Sequence, residues 1–316
     1  MKKVVLSVVA ALAFSAAPAF AADMPVKAIK APAAEPSPWD VAFGAAAMSD
    51  YIFRGITQSN HRPSVSAYVE PRYNITKDIQ LYVGTSFETI SFPNDARAEI
   101  DFYGGVRPTF GPLALDFGVW YYYYPGGTCF ADGIICSQVL PNGNFIKADL
   151  SFWEAYAKVT YTAGDFAFGP TFYYSPSFLN SGAPGEYLSL IVKYTAPASM
   201  AIAKDIGWYV SGEFGRQWLG TSDAFYGIPT SPNGIDYADY NTWNVGIGFT
   251  WKVLTLDLRY SGTDLSQANC NAFTGDNTAT FNGSFSSINP SGVGSKWCGN
   301  AFIAKLSADF TASSLK

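Results

Sequence analysis

Apolar and polar side chains alternate with a two-residue period through segment after segment of this chain. In residues 97–107, Ile100, Phe102 and Val106 share one parity, while Glu99, Asp101, Tyr103 and Arg107 share the other. Successive strand side chains point to opposite faces of a sheet, so this segment predicts a strand with one greasy and one charged face. The same test predicts twelve strands. The first presents Trp39, Val41, Phe43 and Ala45 on its apolar side, the second Val65, Ala67, Val69 and Tyr73, and the third Ile79, Leu81, Val83 and Phe87. Residues 97–107 are the fourth. Leu113 to Tyr121 and Trp153 to Tyr161 supply the fifth and sixth, and residues near 165–175 and 186–195 the next two. Trp208 to Phe214, Trp243 to Trp251, Leu254 to Tyr260 and Phe302 to Phe310 complete the set.

The spacing between these segments carries a second pattern. Connections at 74–77, 109–112, 163–164 and 250–252 are tight, whereas 49–63, 125–149, 218–238 and 262–299 are long and polar, with 89–96 and 176–184 shorter. Short turns at one end and long loops at the other, on an even number of amphipathic strands, predict an all-β transmembrane antiparallel barrel with periplasmic turns and extracellular loops. Lipid then meets the apolar face and water the charged one. A soluble sandwich would reverse that geography. The connection at 195–205 breaks the rule by being long on the turn side, as a short periplasmic helix or a miscounted strand would be.

Composition sharpens this picture. Lys2 and Lys3, an apolar run from Val4 to Phe14, and Ala19-Phe20-Ala21 read as a cleavable export signal over 1–21. Residues 22–38 are an aperiodic Pro/Ala-rich linker, which leaves 39–316 for the barrel. Losing two lysines takes the formal charge from −5 to about −7, which leaves nothing basic for nucleic acid. After the leader no uncharged apolar run reaches the ~18 residues a transmembrane helix needs. Aromatics gather at strand ends (Trp120 to Tyr124, Phe172 to Tyr174, Trp208 and Tyr209, Trp243, Trp251), where headgroup-depth girdles are expected.

Four cysteines fall within two long loops. An even count in an exported chain suggests the disulfides Cys129–Cys136 and Cys270–Cys298. Metal binding is the rival, but the spacings fit no zinc pattern and no histidine is near.

Local motifs add a resemblance. Ser49-Asp50-Tyr51-Ile52-Phe53-Arg54-Gly55-Ile56-Thr57-Gln58 is followed by Glu99-Ile100-Asp101-Phe102-Tyr103-Gly104-Gly105, by Tyr122-Tyr123-Tyr124-Pro125-Gly126, and by Glu154. This series, over roughly residues 40 to 160, resembles the TorF-family porins, a proteobacterial outer-membrane barrel family. The resemblance implies an outer-membrane pore with no well-defined substrate. One departure is the C-terminus, Ser314-Leu315-Lys316, where many barrels end in an aromatic; Phe310 is the nearest.

The parity assignment puts Glu70, Glu88, Glu99, Asp101, Asp116, Glu154, Glu213, Asp257 and Asp309 in the lumen, with Arg72, Arg107, Lys158, Lys193, Arg259 and Lys305. Rings of such charges set ion selectivity; opposite charges on neighbouring strands can equally brace the wall. Arg54, Asp101, Tyr103, Arg107, Glu154, Lys158, Glu213, Asp257 and Arg259 are the candidate pore-lining or constriction residues. Asp101 and Glu154 sit on strands two apart, and Arg54, at the start of the first long loop, could fold back; each of the three could serve either role. Bracing is expected for most of the set and a constriction for a subset.

No enzyme is expected. His61 is the one histidine, without an evident orienting partner, and Asp50 and Ser59 are near it only in sequence. Asp223, Asp236 and Asp239 could hold calcium weakly but read as solvated loop acids. No metal or cofactor is expected. The function expected is passive diffusion of small hydrophilic solutes or ions across the outer membrane, weakly favouring cations, with the lipid bilayer as partner. The alternative is a structural or adhesive surface protein with a plugged lumen and disulfide-braced loops.

Overall fold

Twelve antiparallel strands pair with their sequence neighbours and close on themselves in the computed structural model, which describes residues 12–14, 17–20 and 38–315. They are β1 (Trp39–Met48), β2 (Ser64–Thr76), β3 (Ile79–Thr89), β4 (Ala98–Phe110), β5 (Leu113–Tyr123), β6 (Phe152–Ala163), β7 (Phe166–Ser175), β8 (Gly185–Thr195), β9 (Ile206–Leu219), β10 (Tyr240–Trp251), β11 (Leu254–Thr263) and β12 (Ala301–Thr311). β12 pairs with β1 from Lys305 opposite Met48 to Thr311 opposite Ala42, so the ring has no open edge. Closure satisfies the strand backbone internally, which hydrocarbon demands. Every predicted strand is present. The predicted leader and linker lie outside the described residues, except for 12–14 and 17–20, which pair in a short ladder apart from the barrel, and Pro38.

The two parities separate as lipid and bore require. Val83 is 62% exposed and Phe302 83%, whereas Asp101 and Lys158 are 3% exposed and Glu154 fully buried. A water-soluble core inverts this order. An Arg or Lys on the lipid face would cost roughly 2–4 kcal/mol at the midplane, so lipid enforces the parity strand by strand. Among the described residues no helix is long and apolar enough to cross a membrane.

Of the two alternatives for the 195–205 connection, the structure has the short helix, a single 3-10 turn at Ala198–Met200, fastened by the Trp208 indole donating to the Met200 carbonyl (2.8 Å). One sequence expectation needs correction. The aromatic clusters are not purely headgroup girdles. Tyr121, Tyr123, Phe172, Tyr174 and Trp251 face outward, but Trp120, Tyr122, Tyr124, Tyr173 and Tyr209 are buried inside. Such rings need room on the neighbouring strand. At Gly248, opposite Tyr209, a Cβ would collide with the phenol ring.

The long loops cover one end of the barrel. Loop 264–300 contains α1 (Gln267–Thr274), whose N-cap Ser266 accepts from the Asn269 N–H, and Cys270–Cys298 ties the helix to the end of the loop. Cys129–Cys136 closes a second loop. Asn142 and Asn144 donate to the Asp276 carbonyl (2.7 and 2.8 Å), which joins the two loops. The Thr57 N–H donates to the Trp297 carbonyl (3.0 Å) and the Trp297 indole to Asn60 Oδ1 (2.9 Å), which joins loop 49–63 to the same cap.

Candidate functional site

The loop between β1 and β2 builds the most distinctive part of the site. Ile52 pairs with Thr57 and Phe53 with Ile56, leaving Arg54 and Gly55 as a two-residue turn with φ of 45° and 78°. Two positive φ values at the centre are the signature of the tight hairpin turn that matches strand twist. Glycine is required at the second position for space as well, since a Cβ would sit 2.9 Å from Thr242 Oγ1 and from Thr263 Cβ. Asp50 anchors the base of the hairpin by accepting from the Thr57 hydroxyl (2.6 Å) and the Ser59 hydroxyl (3.0 Å), and by pairing with His61 Nδ1 (2.7 Å). The Ser49-to-Gln58 motif is therefore an inward-pointing hairpin and its fastening.

Arg54 is the tip of that hairpin, and its side chain is buried. Nη1 and Nη2 donate to the two oxygens of Glu154 on β6 (2.9 and 2.8 Å), and Nη1 also donates to Gln217 Oε1 on β9 (3.0 Å). Its guanidinium lies over Tyr187 (4.4 Å), Phe53 (4.6 Å) and Tyr173 (4.8 Å). Tyr122 donates to Glu154 Oε2 (3.1 Å). A two-pronged, aromatic-boxed pair of this type fixes direction as well as charge.

Asp101 belongs elsewhere. It gathers with Glu88 and Glu99, their carboxylate oxygens lying within 4.8 Å of one another. The Ser86 hydroxyl donates to Asp101 Oδ2 (2.8 Å) and the Tyr51 hydroxyl to Glu99 Oε1 (2.7 Å). Among the described residues this is the group that could hold a metal ion. Arg54 folds back into the barrel and pairs with Glu154, whereas Asp101 belongs to the acid cluster.

Nearer the turns, Glu70, Asp116 and Asp257 meet arginines on their own or neighbouring strands, and the other charges meet polar or aromatic side chains. Arg107 donates to Glu70 (2.7 and 3.0 Å) and to Asp116 (3.2 Å), lies 3.5 Å from the Tyr82 ring centre, and shares Glu70 with Arg72 (2.6 Å). Tyr82 donates to Asp116 (2.5 Å) and touches the Tyr156 hydroxyl. Arg259 donates to both oxygens of Asp257 (3.0 and 2.9 Å), to Asn244 and to Ser211 (2.8 Å). Glu213 accepts from Tyr187 (2.9 Å) and Asn244 (3.0 Å). Lys158 and Lys193 rest over Tyr156 (4.7 Å) and Tyr209 (3.8 Å). Tyr103 stacks on Trp120 (4.0 Å).

All nine candidate residues thus lie inside the barrel. Sequence reasoning missed Tyr51, Tyr82, Tyr187, Gln217 and Asn244 as their partners; parity with the neighbouring charges was the available signal for the strand residues among them. His61 does have an orienting partner, Asp50, contrary to expectation. Its Nε2 faces the Lys296 carbonyl (3.0 Å) and the Ser59 hydroxyl serves Asp50, so no nucleophile meets the imidazole. Hydrogen bonding to Asp50 holds the His61 pKa above its ordinary value. Asp223, Asp236 and Asp239 bind Lys147, Thr221 and Arg216 respectively and do not converge.

Comparison with known proteins gives a family and a set of barrels. A family model described as "Bacterial protein of unknown function (Gcw_chp)" matches residues 32–287. Among curated proteins nothing matches. The fold is similar to the Pseudomonas putida toluene transporter TodX, with TM-score 0.43 and 10% identity over 87% of this chain and 88% of that one. It is also similar to LpxR from Salmonella typhimurium, with TM-score 0.39 and 8% identity over 85% and 99% of the two chains. A loop-deletion mutant of OmpT, an outer membrane protein of Vibrio cholerae, has TM-score 0.36 and 12% identity over 86% and 98%. Likeness at this level concerns the barrel and carries no chemistry across.

Proposed function

We propose a function for this chain from its own geometry, because the family to which it belongs, Gcw_chp, is described as bacterial protein of unknown function. The protein is a narrow outer-membrane channel for small hydrophilic solutes or ions, held shut by its own first loop. The observation that carries this reading is the Arg54–Glu154 pair: the cation sits on a loop hairpin, and its partner sits on the barrel wall.

Withdrawing the hairpin would remove Arg54 and Tyr51 from the mouth together. Glu88, Glu99, Asp101 and Glu154 would then line the loop-end half of the bore, and that excess of acids favours cations. The turn-side half stays neutralised by Arg72, Arg107 and Arg259. The TorF resemblance agrees with a pore but names no cargo. The second reading, a permanently plugged structural or adhesive barrel, is favoured by the burial of Glu154, Lys158 and Asp257, since water is excluded from them.

Solute flux into liposomes separates the two. The channel reading expects Arg54→Ala barrels, shown to be folded by their heat-modifiable gel mobility, to admit small sugars or ions several-fold faster than wild type. Equal and negligible flux from both would leave the plugged reading.

A further inference from the structure

The loop-end half of the bore holds three carboxylates that no base neutralises. Glu88 on β3 lies directly opposite Glu99 on β4, and Asp101 follows on the same face, opposite Ser86. Like charges directly across a strand pair repel each other. Burial sharpens the conflict: Glu99 is 2% exposed and Asp101 3%, with Glu88 half-buried beside them. One oxygen from each of the three lies within 4.8 Å of the other two. No ion pair relieves them among the described residues. Buried charges are otherwise paired or coordinate a metal.

The hydrogen bonds satisfy part of the cluster and leave the rest. The Ser86 hydroxyl donates to Asp101 Oδ2 (2.8 Å) and the Tyr51 hydroxyl to Glu99 Oε1 (2.7 Å). Asp101 Oδ1 and Glu88 Oε2 are buried and have no hydrogen-bond partner among the described residues. A buried acceptor without a partner is costly, more so on a charged group. Asp101 is thus held by one oxygen and offers the other, which is how a carboxylate that ligates a metal is oriented by its surroundings. The turn-side acids differ, since Glu70, Asp116 and Asp257 each meet an arginine.

We propose that Glu88, Glu99 and Asp101 form a binding site for one divalent cation, with calcium the preferred ion. Three carboxylates call for positive charge, and a donor set of oxygens alone suits a hard cation. Calcium accepts about six to eight oxygens in adaptable geometry, two from one carboxylate included, whereas magnesium demands a near-ideal octahedron and keeps several waters. Burial leaves little room for such waters, which favours calcium. The bound ion fastens β3 to β4 where repulsion opposes their pairing. The inference does not depend on the channel reading, because metal content and unfolding are measured without current.

The test uses the full-length barrel refolded in detergent with calcium chloride or with EDTA, so that entry does not require the loops to open. After desalting, atomic emission should find calcium retained by wild type in a one-to-one ratio, and the calcium-refolded barrel should unfold at higher urea than the EDTA-refolded one. Asp101→Asn keeps the shape and removes the charge; it should weaken calcium binding at least roughly tenfold and abolish the difference in urea midpoint. Glu88→Gln, on the other strand and less buried, should do the same. Asp236→Asn, in a loop outside the cluster, should change neither readout. Magnesium should need at least roughly tenfold higher concentration for the same stabilisation. Wild type that retains no calcium and unfolds identically in calcium and EDTA would overturn the site. Undiminished binding in folded Asp101→Asn or Glu88→Gln, or loss in Asp236→Asn, would overturn the assignment of residues. Magnesium as effective as calcium would overturn the choice of ion.

Discussion

The two halves of the bore neutralise charge in different ways. On the turn side, Glu70, Asp116 and Asp257 meet Arg72, Arg107 and Arg259, and every partner is a strand residue placed by the ladder. On the loop side, Glu154 meets an arginine that reaches it from a hairpin 100 residues earlier in the chain. Glu88, Glu99 and Asp101 form no ion pair among the described residues. A counter-charge on a strand cannot leave without breaking the wall; one on a loop can. Under the proposed function, the strand-borne pairs brace the wall and the loop-borne pair is the latch.

The contrast is open to direct attack. Arg259→Ala leaves Asp257 buried without its base, and removing one member of a buried pair costs about 3–5 kcal/mol. Urea unfolding of the detergent-folded barrel should register that loss in full. Arg54→Ala should cost less, about 1–3 kcal/mol, because the hairpin can swing aside and let water reach Glu154. Equal losses in the two variants would erase the distinction between brace and latch. Replacing Cys270 and Cys298 together by serine should leave barrel unfolding within roughly 1 kcal/mol of wild type while protease cuts 264–300 several-fold faster, since that disulfide constrains the cap alone.

The smallest effect is a titration. Asp50 holds the His61 imidazolium, so the folded pKa lies above the ordinary 6.5. The contribution of that pair to stability is complete below pH 6.5 and is lost as pH rises through the raised value. His61 has its side chain 43% exposed, which keeps the stability effect slight. The midpoint itself is easily read, because His61 supplies the one imidazole signal in the proton NMR spectrum of this chain. It should fall towards 6.5 in Asp50→Asn.

The barrel was legible in the alternation because lipid tolerates no error in it: Glu99, Asp101 and Arg107 could sit on only one side of β4. The turn-and-loop rhythm exposed the ends, and cysteines confined to two loops exposed both disulfides. Tyr122, Tyr173 and Tyr209 were harder, since a tyrosine suits both the headgroup zone and a polar bore. Their parity, shared with Asp116, Thr171 and Ser211, was the clue that residue type obscured. The latch was half legible. Arg54 stood out in its motif, but its choice of Glu154 depends on a left-handed turn and on contacts from β8 and β9 that no local pattern encodes.

Single-channel recording in planar bilayers under a potassium chloride gradient tests the latch most directly. Wild type should be silent or open rarely, and Arg54→Ala should give discrete steps whose reversal potential favours potassium, a preference weakened when Glu154→Gln is added. Steps of the same size and frequency from wild type, or a chloride-favouring reversal in Arg54→Ala, would contradict the account.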